Sequence, residues 1–102
     1  MHFSFEPEKN RINLEKHGIS LTDAWLVYFA ETKLTVDSTR NGEHRWLDVA
    51  WVEMAGAVLV LVYTRPKADE VRAISMRRAS RQERKRYEQE QFISQDETLS
   101  LH

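Results

Sequence analysis

The sequence predicts an α+β fold with a mostly antiparallel sheet and its helices packed on one face. Three observations carry that expectation. Alternating or β-branched runs recur at 2–6, 32–37, 45–53, 57–64 and 70–77, each of strand length. Helix-opening chemistry stands at Pro7, at Ser20-Leu-Thr-Asp23 and at Ser80-Arg-Gln-Glu83. The last four strands are joined by turns at Asn41-Gly42, Gly56 and Arg65-Pro66, too short for the crossover that parallel neighbours need. The element order is therefore β-α-α-β-β-β-β-α.

Each element has its own warrant. Phe3 and Phe5 fall on one side of a short first strand. Pro7 suits a first helical turn, and Lys16 and His17 place positive charge at the other end of that helix. Gly18 supplies the left-handed stop. Leu21, Ala24, Trp25, Tyr28 and Phe29 follow at helical spacing and read as core. The run Val58-Leu-Val-Leu-Val-Tyr63 is apolar throughout and predicts a central strand covered on both faces. Ser80 and Glu83 form a full capping box for a third helix of about three turns. Its apolar surface, Tyr87, Phe92 and Ile93, is so small that an exterior position follows. The second sheet face is expected to be open.

A length of 102 residues suits one domain, placed at 1–93, with 94–102 as a tail expected to fray or to await a partner. The absence of cysteine excludes disulfides, a thiol nucleophile and cysteine-based zinc sites. The N-terminus has acids where a secretory signal needs basic and apolar residues, and the longest apolar run, 55–63, is too short to span a bilayer. A cytoplasmic location without membrane contact is the default.

The near-neutral total charge of −1 conceals a division. Residues 1–64 hold six Lys/Arg against nine Asp/Glu, whereas 65–87 hold nine basic groups against three acids. Such a local excess attracts polyanions whatever the total. Within it, strand alternation puts Ser75 and Arg77 on the open face if Ile74 and Met76 face the helices, with Arg72 on the helix side unless the strand is irregular. The planar fork of an arginine suits a phosphate that gains charge in a transition state, and Arg77 is the first candidate for that role. Arg81, Arg84, Lys85 and Arg86 surround their helix and read mostly as a solvated face with a secondary pull on nucleic acid. Lys9, Asn13 and Lys16 share one helix face. His17 serves equally as a proton shuttle or as a favourable cation at a helix end. Trp46 and Trp51 point to opposite faces of one strand, which leaves one free to stack on a base while the other packs, although in most proteins both simply pack. His2, His17, His44 and His102 show no metal-ligand spacing and there is no glycine-rich phosphate loop. No metal and no cofactor is therefore expected.

Taken together, the blocks Phe3-Ser-Phe-Glu-Pro-Glu-Lys-Asn-Arg-Ile-Asn-Leu-Glu-Lys-His-Gly18, 43–52, 59–65 and 72–87 resemble the BrnT toxin family. The family's opening pattern is met by Phe3, Phe5, Glu6, Lys9, Asn13, Lys16, His17 and Gly18. Its closing pattern is met by Arg72, Ile74, Ser75, Arg77, Ala79, Ser80, Glu83, Arg84 and Tyr87. Trp51 stands where a glycine is common, Phe5 replaces a frequent tryptophan, and the tail after Glu88 lies outside the resemblance. The resemblance implies a RelE-like, metal-independent ribonuclease of a type II toxin–antitoxin pair that inhibits translation. It implies a BrnA-type antitoxin that masks the toxin in a hetero-oligomer and alone supplies DNA binding. On that reading Arg77 contacts the scissile phosphate, with Arg45, Arg65 and Arg72 in support and Lys16 or His17 moving a proton. Phe5, Lys9, Arg78 and Arg81 contact the RNA substrate. The alternative is a non-catalytic module that binds nucleic acid or protein through the same basic surface.

Overall fold

The structure is a computed structural model that describes the backbone of residues 1–100 and the side chains of residues 1–90. Its order is β1 (His2–Ser4), α1 (Pro7–His17), a 3-10 turn (Leu21–Asp23), α2 (Ala24–Tyr28), β2 (Leu34–Asp37), β3 (Trp46–Val52), a second 3-10 turn (Glu53–Ala55), β4 (Ala57–Lys67), β5 (Glu70–Arg78) and α3 (Arg81–Ser100). This is the expected order. The strands form one sheet in the order β1-β5-β4-β3-β2. Three of its pairings are antiparallel and β1 runs parallel to β5, so the sheet is mixed.

Local chemistry sets most of the boundaries. Pro7 opens α1 and Gly18 closes it at φ 68°, where its N–H donates to the Leu14 carbonyl. Asn41 and Gly42, at φ 52° and 77°, turn β2 into β3. Ser80 Oγ accepts from the Glu83 N–H at 3.2 Å while Glu83 Oε1 accepts from the Ser80 N–H at 2.8 Å, which completes the capping box of α3. The second helix departs from expectation. Ser20 Oγ accepts from Thr22 N–H, so the chain turns once as a 3-10 helix before the single short helix α2 begins.

The last hairpin also departs. The sequence places its turn at Arg65-Pro66, but β4 continues through both residues to Lys67 and the chain turns at Ala68-Asp69. The ladder is irregular between Thr64 and Lys67, and such a bulge tolerates a proline that cannot donate. A second shift, between Val62 and Tyr63, leaves Ile74 as the extra residue of β5.

The main core lies between the sheet and α1/α2. Leu21, Ala24 and Val27 pack there on Ala50, Val52, Leu59, Leu61, Tyr63, Val71, Ala73 and Met76. The second sheet face is not wholly open. Tyr87 of α3 packs on Val49 and Val60, so helices lie on both faces, because this one aromatic gives α3 enough apolar surface to dock. Beyond Tyr87, Leu47, Val62 and Ser75 on this face are half-buried.

Side chains meet two backbone positions that the short outer strands leave uncovered, Met76 of β5 and Trp51 of β3. β1 is too short to cover Met76, and there Asn13 of α1 takes the place of a strand. Its Nδ2 donates to the Met76 carbonyl at 2.8 Å and its Oδ1 accepts the Met76 N–H at 3.0 Å. On β3, where β2 has not begun, the Trp51 N–H donates to the Tyr87 hydroxyl at 3.3 Å. Helix α3 is longer than three turns. The expected tail of 94–102 falls on residues whose side chains, and for 101–102 whose backbone, lie outside the described residues, as do the side chains of Phe92 and Ile93.

Candidate functional site

The register shift at Ile74 decides where the arginines of β5 point. Val71 and Ala73 are buried in the α1/α2 core, and so is Met76. Side chains alternate on either side of the bulge, so Arg72 shares the second face with Ser75 and Arg77. Simple alternation put Arg72 on the helix side; the extra residue reverses it.

Lys9, Arg45, Arg65 and Arg72 then line one cleft of about 550 Å³ at the end of the sheet, together with Glu6, Glu43, His44, Trp46 and Thr64. They come from four places: the start of α1, the residue before β3, the end of β4 and the start of β5. Arg45 Nε donates to Glu43 Oε1 at 3.0 Å. Arg72 reaches Glu70 Oε2 at 3.2 Å, and that carboxylate also accepts from Ser4 Oγ at 2.6 Å. The Ser4 bond and then the Arg72 charge hold Glu70 below the usual carboxylate range. Arg65 donates to the Ala68 carbonyl.

A second groove continues from the first across Arg45 and Ile74, which line both. Its other walls are Ser38, Thr39, Arg40, Leu47, Val62, Ser75 and Arg77. Arg77 reaches this groove but is engaged. Its guanidinium is bidentate on Glu83, at 2.6 and 2.9 Å. The pair holds the Glu83 carboxyl down at about 2 and raises the Arg77 guanidinium further. Glu83 therefore both caps α3 and ties its first turn to β5.

Three rings lead from the core to the cleft. Trp46 stacks on Tyr63 with centroids 5.9 Å apart and planes at 18°, and His44 stacks on Trp46 at 4.0 Å and 24°. Tyr63 is fixed through its hydroxyl, which donates to Asp48 Oδ1 at 3.2 Å. Asp48 is fully buried and also accepts from Lys33 Nζ and Thr35 Oγ1, each at 2.8 Å. Burial and the Asp48 charge push the Tyr63 hydroxyl well above its ordinary range, so it stays a donor. His44 Nε2 stands 3.6 Å from Asp37 Oδ2.

Of the residues expected to form a site, the cleft unites Lys9, Arg45, Arg65 and Arg72 and the adjoining groove holds Arg77. The others lie apart. Lys16 and His17 sit at the far end of α1, about 10 Å of helix beyond Lys9. Phe5 packs against the main core, Arg78 lines a separate groove with Gly18 and Met54, and Arg81 stands exposed at the start of α3. Sequence reasoning did not single out Glu6, Glu43 or His44 for the site. For Glu43 a usable signal was present, an acid two residues from an arginine just after an Asn-Gly turn. Among the described residues no three His, Asp or Glu side chains converge as a metal site requires, and no helix is long and apolar enough to cross a membrane.

Comparison with known proteins agrees with this architecture. The solved structure of the Brucella abortus ribonuclease toxin BrnT superposes with a TM-score of 0.64 at 17% identity, covering 79% of this chain and 99% of that one. At that identity the likeness speaks for the fold. No curated protein sequence matches the chain. The sequence profile described as ribonuclease toxin, BrnT, of type II toxin-antitoxin system matches residues 5–83, which is most of the chain. The chain therefore belongs to the BrnT family of ribonuclease toxins.

Proposed function

We propose that this protein is a metal-independent, RelE-like endoribonuclease whose reaction centre is the cleft of Lys9, Arg45, Arg65 and Arg72. The observation that carries the reading is the convergence of these four cations on one cleft from four separate parts of the chain. RNA cleavage by internal attack needs little covalent help from the protein. It needs the 2′-hydroxyl held in line with its phosphate and the growing charge on the phosphoryl oxygens matched by fixed donors. Arg45 stands where the two grooves meet, and it takes the role at the scissile phosphate that the sequence reading assigned to Arg77. Arg65 and Arg72 flank it, and Arg77 contacts a neighbouring phosphate when Glu83 releases it.

The Glu43 carboxylate lies beside Arg45 and accepts the 2′-hydroxyl proton. The 2′ oxygen then bonds to phosphorus, the bond to the 5′ oxygen breaks, and the leaving oxygen takes a proton from solvent at the open mouth of the cleft. The products are a 2′,3′-cyclic phosphate and a 5′-hydroxyl. Family membership implies an antitoxin partner. The finer reading is a BrnA-type antitoxin that covers the cationic face in a cytoplasmic hetero-oligomer and supplies all DNA contact, so that free toxin arrests translation.

The test is incubation of purified, antitoxin-free protein with RNA in excess chelator, beside Arg45→Ala. Wild type leaves cyclic phosphate ends, and loss of Arg45 lowers turnover by about 10²–10³-fold, as for a removed transition-state donor. Equal cleavage by both proteins refutes this site. Salt-sensitive binding without any cleavage product refutes catalysis.

A further inference from the structure

The stack Tyr63–Trp46–His44 ends on an exposed imidazole whose Nε2 edge stands 3.6 Å from Asp37 Oδ2. Tyr63 is buried and Trp46 half-buried, whereas the His44 side chain is 56% exposed and lines the cationic cleft. The stack is rigid at its inner end, because Tyr63 is anchored through Asp48 to Lys33 and Thr35. A ring held this way loses little freedom when a further ring joins it. Beside it stand Arg45, Arg65 and Arg72, each a donor suited to phosphate. An aromatic platform next to a cationic track is the arrangement by which proteins hold unpaired bases.

We propose that His44 is the stacking platform for one unpaired nucleobase of single-stranded RNA, whose flanking phosphates lie on Arg45 and its neighbours. The cleft volume of about 550 Å³ suits one nucleotide unit. A base within a duplex has both faces covered by its neighbours and must first be unstacked, so the site selects single strands. Every base has a π face, so the site tolerates any sequence. The proposal rests on the RNA-cleaving reading and adds to it where the base goes and which strands are accepted.

The test uses a short 2′-O-methyl RNA with one 2-aminopurine, which cannot be cut because the attacking hydroxyl is blocked and whose fluorescence falls when the base stacks. Wild type quenches the single strand and binds the duplex form, already dim from its own stacking, far more weakly with no further change in fluorescence. His44→Ala abolishes the quench and weakens single-strand binding by about tenfold. His44→Phe, which keeps a flat ring without the imidazole, restores both. A quench unchanged in His44→Ala, no restoration by phenylalanine, or equal binding of the duplex overturns the proposal. Cleavage of an ordinary RNA is followed in parallel. Cleavage with an unquenched probe rejects the base site alone. Stacking without cleavage rejects the ribonuclease reading and keeps the base site, and failure of both rejects both.

Discussion

Replacing Glu83 separates its two roles. Glutamine fills the same position in a capping box, so Glu83→Gln keeps the cap on Ser80 and removes only the charge that holds Arg77. Glu83→Ala removes both. The carboxyl lies at about 2 in the folded protein against an ordinary 4.5, which unscreened corresponds to about 3 kcal/mol at 1.36 kcal/mol per unit. Both partners touch solvent, with side-chain exposures of 34% for Arg77 and 24% for Glu83, so screening reduces this to about 1–2 kcal/mol. A lost cap adds about 1 kcal/mol. Urea unfolding at neutral pH should therefore show Glu83→Gln less stable by about 1–2 kcal/mol and Glu83→Ala by about 2–3 kcal/mol. The folded-state value is depressed, so the stabilisation is complete above 4.5 and disappears as pH falls towards 2. The gap between wild type and Glu83→Gln should narrow on acidification through that window. Glu83→Gln should also tighten RNA binding at low salt, since it frees a bidentate arginine for phosphate. A gap that does not change with pH, or weaker RNA binding by the glutamine variant, refutes the account.

Two further outcomes follow from buried polar groups. Asn13→Ala leaves the Met76 N–H and carbonyl without partners on a covered strand edge, which should cost about 2–4 kcal/mol in chemical denaturation; a loss below 1 kcal/mol would show that water replaces the side chain. Lys33→Met strips the fully buried Asp48 of its cation and leaves two hydroxyl donors. A loss of about 3 kcal/mol is expected by the same measurement, and an unchanged midpoint would show that the lysine contributes nothing to holding the buried Asp48.

What was legible in the sequence was what local chemistry decides. Pro7 and Gly18 bound α1, Asn41-Gly42 forms its turn, and Ser80 with Glu83 caps α3, because each depends on residues within one turn of chain. What long-range pairing decides was not legible. Asn13 shares a polar face of α1 with Lys9 and Lys16 in the sequence, yet it is buried, where β1 ends too soon to cover Met76. Asp48 interrupts an apolar strand, and its partners stand 15 residues away in both directions. Pro66 reads as a turn, and only the ladder shows a bulge that accommodates it. His44 carried no signal as a platform, because its value lies in the tryptophan two residues on and in a tyrosine across the sheet.

The same distinction explains the candidate site. The excess of arginine in 65–87 is a property of composition, but a cleft requires those arginines on one face. Alternation alone places Arg72, Ile74 and Met76 together and Arg77 opposite them. The fold avoids this by leaving Ile74 unpaired between Val62 and Tyr63, which buries Val71 and Ala73 and turns Arg72 outward. One extra residue thus satisfies the core and the cationic face together, and neither could be met by a regular strand of this sequence. Bulges are common beside active sites because they re-aim a side chain without breaking the sheet. Here the re-aimed side chain is Arg72, and it joins β5 to a cleft whose other cations come from α1, the approach to β3 and the end of β4. On the proposed function, the charge of the segment attracts the RNA, and the register of β5 gathers that charge into one cleft.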